Sequence, residues 1–143
     1  MFSIDRSILD TNVLVSSLIR RGKPRLLWGK VLDGKVRLLI FEDILSKFDE
    51  VTRRPKLKKY IGLGRLKRFT KVLIRRAEIV DVRTRVPQLT EDPNDTMIVE
   101  AAVNGEADYI VSGDKHLLSL MEFGGIKIVA VDQMLKLLGG PRK

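Results

Sequence analysis

Arg6-Ser7-Ile8-Leu9-Asp10 is the stretch on which the reading of the fold turns. Its apolar centre is too short for a helix and it closes on a carboxylate, the pattern of a buried strand running out into a loop. Outward from it, residues 13–19 are apolar enough for a helix, and Gly22 breaks it. Pro24 suits the first turn of a second helix through Leu26, Leu27, Val31 and Leu32, with Gly34 as its stop. Residues 36–40 read as the next strand, and 42–53 as a helix burying Ile44, Leu45, Phe48 and Val51. Further strands are expected at 78–82, 109–111 and 126–130. Further helices are expected at 94–103, broken by Asn104-Gly105, and at 132–138, before a frayed end at 139–143. Short apolar strands alternating with helices predict an α/β fold around a mostly parallel sheet.

The 143 residues suit a single domain, and with 44% hydrophobic and 31% charged residues a packed core is expected rather than disorder. There is no cysteine, which excludes disulfides, zinc–thiolate sites and a thiol nucleophile. One histidine, His116, excludes a multi-histidine metal centre, and a surface or capping role is expected for it. No apolar run approaches the ~20 residues of a membrane span. Acid and base arrive within Met1-Phe2-Ser3-Ile4-Asp5-Arg6, which does not read as a secretion signal. A cytoplasmic protein without membrane partners is the expectation.

The net charge of +9 is local. Residues 53–76 hold eleven bases and no acid, while the remaining 16 bases face 18 acids. On a helix starting near Gly64, Leu66, Phe69, Val72 and Leu73 fall on one side and Arg65, Arg68, Lys71 and Arg75 on the other. A solvated face is the bland account. A field confined to one arm, whose basic helix face has no aromatic interleaving for base stacking, instead predicts a surface that holds phosphates and reads little sequence.

Acids sit where such a sheet gathers ligands, beyond the carboxyl ends of its strands. They are Asp10, Asp92 with Asp95, and Asp114. Each has a plain alternative: Asp10-Thr11-Asn12 as an Asx turn, Asp95 as a helix cap. Facing one crevice they would repel unless a cation lay among them, and oxygen ligands alone select Mg²⁺ or Mn²⁺. A carboxylate-held ion beside a phosphate-binding arm predicts phosphodiester hydrolysis by activated water.

Five segments together resemble the PIN-domain nucleases. They are residues 8–15 (Ile-Leu-Asp-Thr-Asn-Val-Leu-Val), Gly22-Lys23-Pro24, Arg53-Arg54-Pro55-Lys56-Leu57, residues 92–102 beginning Asp-Pro-Asn-Asp-Thr, and residues 109–118 with Ser112-Gly113-Asp114 at their centre. They span nearly the whole chain in the family's order and are closest to its small prokaryotic members, the toxins of toxin–antitoxin pairs. The resemblance implies a doubly wound, mostly parallel sheet with helices on both faces, a three-layer α/β/α fold. It implies a Mg²⁺- or Mn²⁺-dependent endoribonuclease acting through Asp10, Asp95 and Asp114, with Asp92 as an accessory ligand. Thr11, Asn12 and Ser112 would be polar supports or water holders. RNA is the implied substrate, with Arg65, Arg68, Lys71 and Arg75 as its contacts, and an antitoxin protein the implied partner. Together with the apolar residues around Trp28, the resemblance favours a homodimer.

One position departs from the pattern. Counting back from Arg53-Arg54-Pro55-Lys56, the family's helix glutamate is replaced by Lys47. Asp43 and Glu50, four before and three after, are candidate substitutes on the same helix face. The alternative function is therefore a PIN-like module that holds RNA or a protein with weakened catalysis. A more distant alternative makes Asp10 a phosphoryl acceptor, although Asn12 stands where such an enzyme would want a second aspartate.

Overall fold

The computed structural model describes residues 4–139; of the frayed end expected at 139–143, Gly139 instead belongs to the last helix, and 140–143 lie outside the described residues. Among these, six strands form one sheet: β1 (Asp5–Leu9), β2 (Val36–Ile40), β3 (Glu78–Ile79), β4 (Tyr109–Val111), β5 (Glu122–Phe123) and β6 (Ile126–Val129). Their order is β3-β2-β1-β4-β6-β5, with β5 antiparallel to β6 and the other neighbours parallel. Ile8 lies opposite both Leu39 of β2 and Ile110 of β4. All three are buried, as are Leu38 and Ile40 beside them. Successive buried residues have no solvent face, so the sheet must be covered on both sides.

The cover is helical. Helices α1 (Thr11–Ile19), α2 (Lys23–Leu32), α3 (Glu42–Thr52) and α8 (Val131–Gly139) pack among themselves, and α6 (Pro93–Asn104) packs on β1 and β4. The arm contributes α4 (Pro55–Lys58) and α5 (Leu63–Arg76), and α7 (Lys115–Leu118) is a single turn against β6. The result is the three-layer α/β/α fold, and its buried apolar residues, from Ile8 to Met134, form one cluster.

Two features tighten the edge opposite the strand ends. A Cβ on Gly105 would lie 2.8 Å from Val80 Cγ2 and 3.0 Å from Leu39 Cδ1, so only glycine lets the end of α6 come so close to the sheet. The Arg6 guanidinium forks onto Glu78 at 2.8 and 3.1 Å and also donates to the Gly105 carbonyl.

Some expectations are corrected. The strand expected at 78–82 is only two residues long. After the Val80 amide donates to the Ile40 carbonyl, the chain turns away, and the amides of Arg83 and Thr84 donate to Asn104 Oδ1 instead. The short β5 and α7 lie below the length at which periodicity is readable. Leu26 is exposed because it lies about 100° around α2 from the buried Leu27. Trp28 is core, its ring centroid 4.6 Å from that of Phe69, so it offers no exposed anchor for a second copy.

Candidate active site

From β1 the chain crosses to β2 on one side, while β4 pairs on the other. The gap beyond their carboxyl ends is therefore the switch point where an open α/β sheet receives ligands. Asp10 follows β1 directly. Its amide donates to the Val111 carbonyl at 2.9 Å, and its Oδ2 accepts from Ser112 Oγ at 2.8 Å. Ser112 is fully buried, and the same Oγ accepts from the Asp114 amide at 3.0 Å. One hydroxyl thus sets the spacing between the acids that end β1 and β4.

The third acidic segment opens α6. Pro93 sits in the first turn, where its missing N–H costs nothing. Asp92, not Asp95, is the cap, its Oδ1 accepting from the Asn94 amide at 2.9 Å. Asp95 is thereby free for the crevice. It is 2% exposed, and its Oδ2 accepts from Thr90 Oγ1 at 2.9 Å. Thr90 also accepts from the Asp92 amide at 3.1 Å, so it holds the two acids in register. Thr90 went unread in the sequence, although a threonine two residues ahead of an Asp-Pro helix start is a readable turn signal.

Asp10, Asp92, Asp95 and Asp114 line one crevice of about 110 Å³, together with Thr11, Asn12, Asp43, Lys47, Asn94 and apolar walls from Phe41, Ile44, Met97 and Ile98. Asp43 and Lys47 reach it from α3. Glu50 does not line it. It lies two turns beyond Asp43, about 10 Å along the axis, exposed and 3.9 Å from Arg54. His116 is exposed, and only its backbone engages the site, donating to Asp114 Oδ1 at 2.8 Å.

The electrostatics follow from this crowding. Burial holds the Asp10 carboxyl above the usual aspartate range. Hydrogen bonds from Ser112 and the Thr11 backbone pull it down, the charge of Asp114 pushes it up, and Lys47 lowers it again. Asp95 is also raised, first by burial, against the Thr90 hydroxyl and with the charges of Asp114 and Asp92 adding to it. Carboxylates held this close favour a cation among them. Asp92, Asp95 and Asp114 each offer an oxygen within 4.8 Å of the others. An ion with bonds of about 2.1 Å keeps its most distant ligands ~4.2 Å apart, so a small closure makes this group a fit. Hard oxygen donors suit Mg²⁺ or Mn²⁺ rather than a soft metal.

Across the chain, α5 buries Phe69 and Leu73, half-buries Leu66 and Val72, and exposes Arg65, Arg68, Lys71 and Arg75. None of these four cations forms an ion pair among the described residues, whereas Arg53 and Arg54 pair with Asp49 and Glu50. Arg76 is committed to the Leu32 carbonyl at the end of α2.

A family model described as the PIN domain matches residues 6–116. Among solved structures, the crystal structure of PAE2754 from Pyrobaculum aerophilum is similar with a TM-score of 0.64 at 13% identity, over 94% of this chain and 90% of that one. The crystal structure of VapBC2 from Rickettsia felis, bound to a DNA fragment from their promoter, gives 0.60 at 15% identity, over 87% of this chain and 98% of that one. At such identities the likeness is one of fold. No curated protein matches the chain.

Proposed function

The chain belongs to the PIN-domain family, a family of nucleases that are generally metal-dependent, and we propose that it is a divalent-metal-dependent endoribonuclease, the toxin of a toxin–antitoxin pair. The observation that carries this reading is the convergence of Asp92, Asp95 and Asp114 within 4.8 Å, beside Asp10, at the switch point of the sheet. When bound, Mg²⁺ or Mn²⁺ supplies counter-charge and lowers the pKa of a water.

This chain's own residues prepare that chemistry. Asp10, Asp95 and Asp114 are the catalytic carboxylates, and Asp92 and Asp43 lie on the same rim. Thr90 fixes Asp95, Ser112 fixes Asp10, and neither hydroxyl adds charge. Thr11 and Asn12 line the crevice where substrate or water would be oriented. In hydrolysis the water oxygen attacks phosphorus, its proton passes to a carboxylate, and the bond from phosphorus to the leaving sugar oxygen breaks as that oxygen is protonated. Arg65, Arg68, Lys71 and Arg75 hold backbone phosphates beyond the reacting one. The supported, hydrogen-bonded acids give the binding-only alternative no specific observation in its favour.

The family resemblance also supports a single domain over residues 1–143, an antitoxin protein as partner, a cytoplasmic setting and a homodimer, the last without Trp28 as an argument. No helix of the described residues is long and apolar enough to cross a membrane. The test is a Mg²⁺ and Mn²⁺ titration against a pool of RNA, run beside Asp10→Asn. Cleavage that requires the ion and vanishes in the variant supports the reading. Cleavage that persists in Asp10→Asn, or intact RNA at every ion concentration, overturns it.

A further inference from the structure

Five carboxylates line the crevice, and one ammonium stands with them, that of Lys47. Lys47 is half-buried on α3 and forms no ion pair or hydrogen bond among the described residues. Its three N–H donors are therefore left to water or to an acceptor that enters the crevice from outside. The acids themselves divide into two sets. Asp92, Asp95 and Asp114 converge on one point, whereas Asp10 and Asp43 stand outside that group. Asp43 and Lys47 are four residues apart on one face of α3, and the charge of Lys47 acts on Asp10. The flank where a second divalent ion would need ligands therefore already carries a positive charge. A doubly charged ion there meets twice the repulsion that a singly charged one would.

We infer that Lys47 is the site's built-in second cation: the crevice takes one divalent ion at Asp92, Asp95 and Asp114, and the Lys47 ammonium holds a non-bridging oxygen of the substrate phosphodiester beside Asp10. This rests on the ribonuclease reading and gives it a stoichiometry. Lysine suits the role because its ammonium acts as a compact point charge with three donors that adapts to a phosphate oxygen as the group moves. It is a binding group, so its loss weakens RNA association even where no cleavage takes place.

The experiment counts ions and measures RNA separately. Metal-stripped protein is titrated with Mn²⁺ by calorimetry and electron paramagnetic resonance, for the wild type, Lys47→Glu and Lys47→Met. The affinity for a short single-stranded RNA is then measured in EDTA. Lys127→Met serves as the control, since it removes the same charge from an exposed position on β6 outside the crevice. The expected results are one Mn²⁺ per wild-type chain, two for Lys47→Glu and one for Lys47→Met. RNA affinity should fall about tenfold in Lys47→Met, the scale of one hydrogen bond to a charged group, and less than that in Lys127→Met. If Lys47→Glu does not fold, Lys47→Met alone decides. Two ions on the wild type, or equal losses in the Lys47 and Lys127 variants, overturn the inference and leave the ribonuclease reading standing. A wild type that binds no ion overturns both.

Discussion

The crevice and the arm are opposites in more than sign. In the crevice, Asp95 is 2% exposed and each of the acids that close β1, open α6 and follow β4 has a named hydrogen-bond partner. On α5, Arg65, Arg68, Lys71 and Arg75 are exposed and unpaired among the described residues. On the ribonuclease reading proposed above, the difference teaches what each task requires. Chemistry on one phosphorus needs groups already fixed at their places before substrate arrives. Holding a flexible polyanion needs only a field, and exposed lysines and arginines supply one at little structural cost.

The largest break in that symmetry should come from Asp114→Asn. It removes a convergent ligand, so metal-dependent cleavage should fall by more than ~100-fold, beyond what supporting groups around a metal usually cost. RNA affinity in EDTA should stay level or rise, because a like charge leaves the crevice. A loss of RNA affinity would mean that the acids and the arm are not separable. Ser112→Ala should come next, costing about 10- to 100-fold in metal affinity or turnover, since both Asp10 and the Asp114 amide lose their shared partner. Metal titration of that variant, with turnover on the same samples, is the measurement.

The arm should answer differently. Neutralising Arg65, Arg68 and Lys71 to glutamine should flatten the dependence of log affinity on log salt. On single-stranded RNA the slope should change by about 0.7 for each phosphate no longer neutralised. Turnover at saturating RNA should hold. An unchanged slope would return α5 to an ordinary solvated face. The smallest effect concerns stability without metal. Unfolded, Asp95 titrates near its ordinary 3.8, and in the folded chain it is raised. Between those two values the folded state binds more protons, so its stability falls as pH rises, and the penalty is complete above the window. Asp95→Asn removes the penalty and can still accept from Thr90. It should melt a few degrees higher than the wild type at neutral pH in EDTA, with the gain shrinking as pH falls towards 3.8.

Much of this was legible in the residues, for identifiable reasons. Ile8-Leu9 and Leu38-Leu39-Ile40 are buried on both faces, so they read as apolar strand runs. The acids are legible because they stand at strand ends and a helix start. The arm is legible because α5 has a clean apolar stripe. Other features depend on distant partners that local patterns do not carry. The strand at 78–82 reads longer than it is because Asn104, about twenty residues on, captures the amides of Arg83 and Thr84. Thr90 acquires its importance only once the turn brings it under Asp95. Glu50 and Asp43 look equivalent on a helical wheel, and only the length of α3 separates them.

The bond between Ser112 and Asp10 also sets when the molecule can act. It spans 102 residues of chain. Closing a loop of that size costs about 4 kcal/mol in chain entropy, so the assembled sheet must hold it shut. During synthesis Asp10 emerges before its partners, and no crevice exists until Ser112 and Asp114 have followed it out and β4 has paired with β1. Until then a ribosome making this chain handles a string of separate acids. On the ribonuclease reading proposed above, the capacity to engage RNA at that site arrives only once both acids and the strands that carry them are in place.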